Sequence, residues 1–372
     1  MNPAQASEPS RAGLPALTGA RGLAAWFVVV YHIRPGLTAT APPALMGVLG
    51  KGYLAVDFFF MLSGFVLWLN YGGRIGTSGW RGARQFLGRR IARIWPLHIA
   101  ILAATVALAL LFEVTGRRDV AHYPWSELPL HVLLMQNWGF TSRLTWNDPA
   151  WSISCEWAAY LLFPLLGMAA AGRRVSSPVL VGLIVALAVG LHLVMAGNGA
   201  AKLGFEIWRF GLLRALVEFG MGTVVCSLWR RWYAQPVAPA TAGFALAALL
   251  FAATASGAVP ETLAVPLLFA ALLLGLSLTA ARPANPLAHR AVVWLGEISY
   301  ATYLVHFLLY IVFKLVFVAD PFAVPLPLVA LFLLMTLSAS ALLYHLVELP
   351  AQAALRRLFE RPRLERWTAP AL

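Results

Sequence analysis

The sequence has few of the polar groups that a soluble enzyme of its size carries. Only 12% of its 372 residues are charged, and 15 acidic side chains face 28 basic ones. Cys155 and Cys226, the two cysteines, both lie in apolar stretches and supply neither a disulfide framework nor a four-cysteine zinc site. A G-x-x-x-x-G-K-[ST] phosphate loop is missing, and the eight histidines form no H-x-x-H-H cluster. These absences argue against an ATP-driven pump and a di-iron desaturase, and we expect no bound metal.

Apolar residues are present in excess. They make up 60% of the chain, against roughly 45–50% in a typical soluble protein, and the mean hydropathy is +0.75. The apolar runs are long enough to cross a bilayer as helices, so we predict an all-α polytopic integral membrane protein with about ten transmembrane helices. The predicted spans are 17–33, 53–71, 91–113, 150–171, 178–197, 209–229, 239–257, 262–281, 292–317 and 324–347.

The basic residues predict the orientation of these spans. With a cytoplasmic N-terminus, 19 of the Lys and Arg side chains fall on the inner side, 8 on the outer side, and Arg214 falls inside a span. Both termini should therefore be cytoplasmic, and the net charge of +13 indicates topology and contact with anionic lipids instead of nucleic-acid binding. An alternative is that Arg11, the apolar stretch 23–31 and the small residues 39–41 form a cleaved signal peptide. We expect one membrane domain over 1–350 and a basic cytoplasmic tail over 351–372.

Ionisable residues inside predicted spans are functional candidates because each is costly to insert into lipid. Arg21 and His32 lie eleven residues apart on the first span, so they share one helix face and are separated by about 16 Å along the axis. Arg21 then lies near the cytoplasmic end. His32 lies toward the outer end, where a neutral imidazole could act as a general base. The alternative is an interfacial histidine with an arginine that marks topology.

Two acidic residues fall at a similar depth in the outer half. Asp57 begins the run VDFFFMLSGFVLW, and Glu156 belongs to a polar stripe with Ser152 and Tyr160 on the fourth span. A carboxylate beside His32 could orient the imidazole ring. Either acid could instead form a structural ion pair, for instance with Arg214.

Three further ionisable residues and one arginine pair complete the candidates. Arg214 and Glu218 are spaced to neutralise each other, and His306 lies on a polar helix face for which a structural role is the simpler interpretation. Arg90 and Arg93 project alike at the inner end of the third span. Their guanidinium groups suit the phosphates of a nucleotide, although inner arginines are also expected from topology alone.

The order of these segments resembles the acyltransferase-3 family of bacterial inner-membrane O-acyltransferases. The resemblance runs along nearly the whole chain, and the segments that carry it are RGLAAWFVVVYH, GYLAVDFFFMLSGFVL, RRIARIWPLH, DPAWSISCEWAAYLLFP, RFGLLRALVEFGMG and GEISYATYLVH. It implies transfer of an acyl group, most often acetyl, from cytoplasmic acyl-CoA to a hydroxyl of an extracytoplasmic or lipid-linked carbohydrate. Acyl-CoA would be a co-substrate, with no permanently bound cofactor.

The same resemblance implies roles for individual residues. Arg21 and His32 match the essential pair of the family, Arg90 and Arg93 match its R-x-x-R motif, and Asp57 and Glu156 match acidic positions. We therefore expect His32, Glu156, Asp57 and Arg21 to be catalytic, and Arg90, Arg93 and Arg21 to bind CoA. Two alternatives remain. A permease would use the buried charges without CoA, and a membrane-bound O-acyltransferase of lipids or proteins would place its histidine far along the chain.

Overall fold

The computed structural model describes residues 14–117, 121–282 and 284–359. Every regular element in these ranges is helical. The α-helices are α1 (Pro15–Ile33), α2 (Pro43–Leu49), α3 (Ala55–Leu67), α4 (Gly73–Val114), α5 (Leu128–Val132), α6 (Ala150–Ala169), α7 (Ser177–Gly197), α8 (Ile207–Trp232), α9 (Val237–Ala255), α10 (Glu261–Thr279), α11 (Arg290–Glu297), α12 (Ser299–Phe317), α13 (Leu326–Leu343) and α14 (Leu349–Phe359). Single π-helical turns, Trp68–Gly72 and Tyr344–Glu348, join α3 to α4 and α13 to α14.

Nine continuous helical stretches of the described chain are long and apolar enough to cross a membrane. One of them covers residues 43–114, and as a straight helix its 72 residues would be about 108 Å long, far more than the roughly 30 Å of a bilayer core. The backbone leaves helical geometry at Gly79, where φ is 52°, a value that favours glycine. This stretch therefore contains the second and third predicted spans. The predicted fold class is confirmed, whereas the cytoplasmic position of the termini stays a prediction.

Close helix packing in the bundle depends on glycine at two contacts. A Cβ atom on Gly64 of α3 would lie 2.0 Å from the backbone oxygen of Phe219 on α8. A Cβ atom on Gly296 of α11 would lie 1.9 Å from the backbone oxygen of Thr18 on α1. Small residues let backbones approach in this way where lipid gives no hydrophobic drive for association. The two contacts hold α3 against α8 and α1 against α11.

The long segment between α4 and α6 packs onto the bundle instead of spanning it. Its helix α5 has five residues, and the Nε2 of His98 on α4 lies 2.8 Å from the backbone oxygen of His131. Farther along, the Nδ2 of Asn147 donates to the backbone oxygen of Leu304 on α12 at 3.1 Å. The segment therefore covers one end of the bundle.

The predicted tail begins as helix α14, which packs against α4. Its later part, with the basic residues at 361, 363 and 366, lies outside the described residues, as do Arg11 and Arg118.

Candidate active site

A cavity of about 730 Å³ lies between α1, α3, α4, α6, α8 and α12. Four of the site residues predicted from the sequence line it: Arg21, Arg90, Arg93 and Glu156. Two further arginines, Arg74 and Arg230, also contribute to its wall and are not among the site residues predicted from the sequence. The other predicted site residues, His32 and Asp57, are not part of the lining.

The arginines in the cavity wall are held mostly by neutral groups. The Nη2 and Nε atoms of Arg21 donate to the backbone oxygen of Gly296 at 2.6 and 3.2 Å. Arg93 forms an ion pair with the buried Glu348, and its guanidinium lies 5.5 Å from the ring centroid of Tyr300. Among the described residues, Arg93 is the one arginine of this wall with a carboxylate within 4 Å. The wall is therefore strongly positive.

Arg90 is surrounded by aromatic rings. Its guanidinium lies 5.5 Å from the ring centroid of Tyr71 and 5.8 Å from those of Phe86 and Tyr160. The Nη2 atom donates to the Tyr71 hydroxyl at 3.4 Å, and the buried Nε has no partner in the described part of the chain. Because rings orient a guanidinium without cancelling its charge, Arg90 keeps donors available for an anion.

Glu156 is the acidic residue of the cavity wall. Its Oε1 accepts hydrogen bonds of 2.6 Å from Ser63 on α3 and from Tyr160, one turn along α6. Ser152, one turn in the other direction, also lines the cavity. The predicted polar stripe of Ser152, Glu156 and Tyr160 therefore faces the cavity.

His32 pairs with a second histidine. Its Nδ1 lies 3.1 Å from the Nε2 of His306 on α12 and 3.0 Å from the backbone oxygen of Val28. The Nδ1 of His306 lies 3.1 Å from the backbone oxygen of Thr302, so in the neutral ring it carries the proton and Nε2 is an acceptor. His32 then donates from Nδ1 to both acceptors. Its Nε2 keeps a free lone pair, as a general base requires.

An acidic partner for His32 is not found where we expected it. Neither Asp57 nor Glu156 is hydrogen-bonded to the ring, which is held by Val28 and His306. Instead, the Oδ1 of Asp57 accepts hydrogen bonds of 2.6 and 3.0 Å from the Nη2 and Nε of Arg214. Both side chains of this pair are at most 1% exposed. Asp57 is therefore placed as the structural partner of Arg214, the alternative left open by the sequence.

Arg214 does not pair with Glu218 in the described structure. Glu218 is fully buried, and in the described residues neither of its carboxylate oxygens forms a hydrogen bond or an ion pair with Arg214. The i, i+4 spacing on α8 therefore puts Arg214 and Glu218 on the same helix face but produces no ion pair, because the Arg214 guanidinium is directed toward Asp57 on α3.

Tyr303 separates the cavity from the two histidines. It lines the cavity, and its ring centroid lies 6.0 Å from that of His306 and 6.0 Å from that of Phe59. Its hydroxyl lies 2.7 Å from the Oγ of Ser152. The positive cavity and the histidine pair are thus divided by about one aromatic layer.

Sequence comparisons identify the family of the chain. The acyltransferase-3 family model, described as an acyltransferase domain, matches residues 14–345. The chain belongs to this family.

Its relatives include acyltransferases from several bacteria. Acyltransferase MdmB of Streptomyces mycarofaciens is 30% identical over 322 residues, which cover 79% of this chain and 78% of that protein. Protein 2 in picA locus of Rhizobium radiobacter is 39% identical over 100 residues, 27% of this chain and 48% of that protein. O-acetyltransferase OatA of Staphylococcus aureus is 24% identical over 166 residues, 41% of this chain and 24% of that protein. No solved structure matches the chain.

The family and the helices together establish a multi-pass membrane protein with acyltransferase ancestry. The family match covers α1 to α13 and hence the cavity wall, His32 and His306.

Proposed function

We propose that the chain is an acyl-CoA-dependent O-acyltransferase of the bacterial inner membrane. It moves an acyl group, most simply acetyl, from cytoplasmic acyl-CoA to a hydroxyl of an extracytoplasmic or lipid-linked carbohydrate. The observation that carries the proposal is the cavity itself, which has arginines in its wall and ends one aromatic layer from a histidine with a free Nε2. The names of relatives such as O-acetyltransferase OatA support the transfer of acetyl to oxygen.

The donor would bind with its phosphates among the arginines. Arg21, Arg90 and Arg93 offer guanidinium groups in the cavity wall, and guanidinium is the side-chain group that best matches phosphate oxygens. The pantetheine arm, which is uncharged, would extend past Glu156 toward Tyr303. The hydroxyl of Tyr160 and the Oγ of Ser63, both hydrogen-bonded to Glu156, give this path a polar lining.

The acceptor hydroxyl would approach His32 from the outer side. The Nε2 of His32 takes the hydroxyl proton as the oxygen attacks the thioester carbonyl. The carbon–sulfur bond then breaks, the acyl group stays on the acceptor oxygen, and the leaving thiolate takes the proton from the imidazolium. General-base assistance of this kind contributes typically about 100-fold to 10,000-fold. His306 would act as a positioning residue, since it holds Nδ1 protonated and so keeps Nε2 free.

A comparison of cells tests the function and the role of His32 together. Surface glycans and secreted metabolites are analysed by mass spectrometry in cells with the gene, without it, and with His32→Ala. An acyl mass should be present in the first sample and absent from the other two, with the variant at normal level in the membrane. The control is His345→Ala, because His345 is exposed and lies outside both the cavity wall and the histidine pair.

Two results would refute the proposal. Retention of the acyl mass in the His32→Ala cells would remove His32 from the reaction. Movement of a substrate across vesicles that contain the purified protein, with no thioester consumed, would favour the permease alternative.

A further inference from the structure

The inner mouth of the cavity carries its own pair of arginines. Arg230, near the end of α8, donates from Nη2 to the backbone oxygens of Leu69 and Trp68 at 3.0 and 3.4 Å. Arg74, at the start of α4, follows Leu69 by five residues. Both arginines line the cavity and are exposed, whereas Arg21, deeper in the cavity, is half-buried. The pair therefore marks the place where the cavity opens.

These two arginines have donors to spare. The side chain of Arg74 makes no hydrogen bond or ion pair within the ranges that the structure describes. Arg230 is anchored through Nη2 alone, and its partners are uncharged carbonyl groups. Since no carboxylate lies within 4 Å of either side chain in those ranges, both positive charges are available to a ligand.

Two aromatic residues flank Arg230 in the sequence. Trp229 and Tyr233 both line the cavity, with ring centroids 5.7 Å apart and an angle of 31° between the planes. Trp229 is held in place because its Nε1 donates to the backbone oxygen of Ser277 at 3.1 Å. Tyr233 is half-buried, so part of its ring faces the opening. Aromatic rings beside guanidinium groups are suited to a nucleobase that carries a phosphate nearby.

We propose that Arg74, Arg230, Trp229 and Tyr233 form a subsite for the adenosine 3′-phosphate of CoA. This inference rests on the proposed function and adds to it a second phosphate site, separate from the predicted motif of Arg90 and Arg93. The 3′-phosphate lies between the two arginines at the mouth, and the adenine packs against Tyr233.

The charges of the ligand and the cavity are well matched under this assignment. Two diphosphate charges and about two more on the 3′-phosphate give CoA about four negative charges near neutral pH. Four arginines of the wall, Arg21, Arg74, Arg90 and Arg230, lack a carboxylate within 4 Å in the described chain. An acyl group carried on a protein through a single phosphodiester would leave the pair at the mouth unfilled. The subsite therefore selects free acyl-CoA over acyl carrier proteins.

Binding measurements on the purified full-length chain in lipid nanodiscs test the subsite without an acceptor. The probes are CoA, 3′-dephospho-CoA and pantetheine, with Kd measured by calorimetry. The wild-type chain should bind CoA about ten- to hundredfold more tightly than 3′-dephospho-CoA, as expected for loss of a charge-assisted contact to phosphate. Arg230→Gln and Arg74→Gln should each reduce that ratio, and the double variant should bring it close to one.

Matched arginines provide the controls. Arg231 is the next residue on α8, and it donates to the backbone oxygen of Val175 and the Oγ of Ser177, outside the cavity wall. Arg84 is exposed on α4 and also lies outside the wall. Arg231→Gln and Arg84→Gln should therefore leave the ratio unchanged. If Arg74→Gln and Arg230→Gln bind 3′-dephospho-CoA with unchanged affinity, both variants are correctly folded.

The possible failures can be told apart. Equal wild-type affinity for CoA and 3′-dephospho-CoA would overturn the subsite and leave the proposed function standing. Equal weakening of both ligands by Arg74→Gln and Arg230→Gln would also overturn it, because the pair would then bind the diphosphate. If no probe binds and no acyl mass is transferred in cells, the proposed function itself fails.

Discussion

Replacement of His306 by phenylalanine should lower the turnover number about two- to tenfold without abolishing it. The Nδ1 proton of His32 has two acceptors, the backbone oxygen of Val28 at 3.0 Å and the Nε2 of His306 at 3.1 Å. The substitution removes only the second. A hydrogen bond contributes about 0.5–1.5 kcal/mol net, and about 1.4 kcal/mol corresponds to a factor of ten in rate. Loss of the base itself in His32→Ala should cost about 100-fold or more.

Non-additivity separates a positioning residue from a second base. If His306 acts only through His32, the double variant His32→Ala, His306→Phe should be as slow as His32→Ala alone. His306→Gln, whose amide oxygen can accept from the Nδ1 of His32, should recover part of the loss. Rates are measured as acetyl transfer from acetyl-CoA in membrane vesicles, to the acceptor identified by mass spectrometry. A double variant at least tenfold slower than His32→Ala would refute the reasoning.

Three further outcomes are expected. Asp57→Asn should lower the thermal unfolding temperature in detergent, because it leaves the buried Arg214 without its charged partner at a cost of about 3–5 kcal/mol. The double variant with Arg214→Met should be more stable than Asp57→Asn alone. Tyr303→Ala should increase CoA release from acetyl-CoA in the absence of acceptor, because it opens the layer between the cavity and the histidine pair. In the segment between α4 and α6, the carboxylate of Asp148, whose Oδ1 lies 3.0 Å from the Nε2 of His122, raises the pKa of His122 above its usual 6.5. The stabilisation from this pair is then fully present below pH 6.5 and lost as pH rises through the raised pKa. The protection of residues 121–148 from hydrogen exchange, taken relative to the intrinsic rate at each pH, should therefore fall in that range, and His122→Phe should remove that fall in protection.

The transmembrane spans were predictable because few backbone structures are stable in lipid. Backbone polar groups must be satisfied within each span, so a run of apolar residues has to be a helix of bilayer length. The predicted runs 150–171 and 178–197 accordingly correspond to Ala150–Ala169 and Ser177–Gly197. The division at Gly79 was less visible, because helix continues on both sides of a single residue with positive φ.

Convergence of the arginines was predictable in part for a similar reason. Arg21, Arg90 and Arg93 are placed at one end of the bundle by the distribution of basic residues, and a charge at that depth must face protein or a polar cavity. An ion pair of Arg214 with one of the two acids was an open alternative, but the sequence did not decide which acid would be the partner. Asp57 meets Arg214 because α3 and α8 approach at Gly64, and the rotation of one helix against another cannot be derived from the residue spacing along either helix.

His306 was missed as a partner for the same reason. The sequence shows that His306 lies on a polar helix face, but it does not show which neighbouring helix that face contacts in the packed bundle. The pair with His32 joins residues 274 positions apart. The presence of one histidine in each of two predicted spans is the one sequence signal that could have suggested the pair, since two such residues share the cost of burial when they are hydrogen-bonded.

The cavity arginines and the histidine pair lie apart, on either side of Tyr303, and the cost of charge in a membrane gives a physical reason for this separation. A charged side chain at the centre of a bilayer costs about 2.5–3.5 kcal/mol, so carrying the roughly four charges of CoA through the membrane would cost on the order of 10 kcal/mol or more. Under the proposed function and orientation, arginines at the inner mouth and in the inner half of the cavity would let those charges stay near the cytoplasm. The parts of the donor that pass Glu156 and Tyr303 would then be an uncharged arm and its thioester. Because His32 lies eleven residues, about 16 Å, beyond Arg21 along α1, the acceptor would not need to cross either, and the acyl group would be the one part that changes sides.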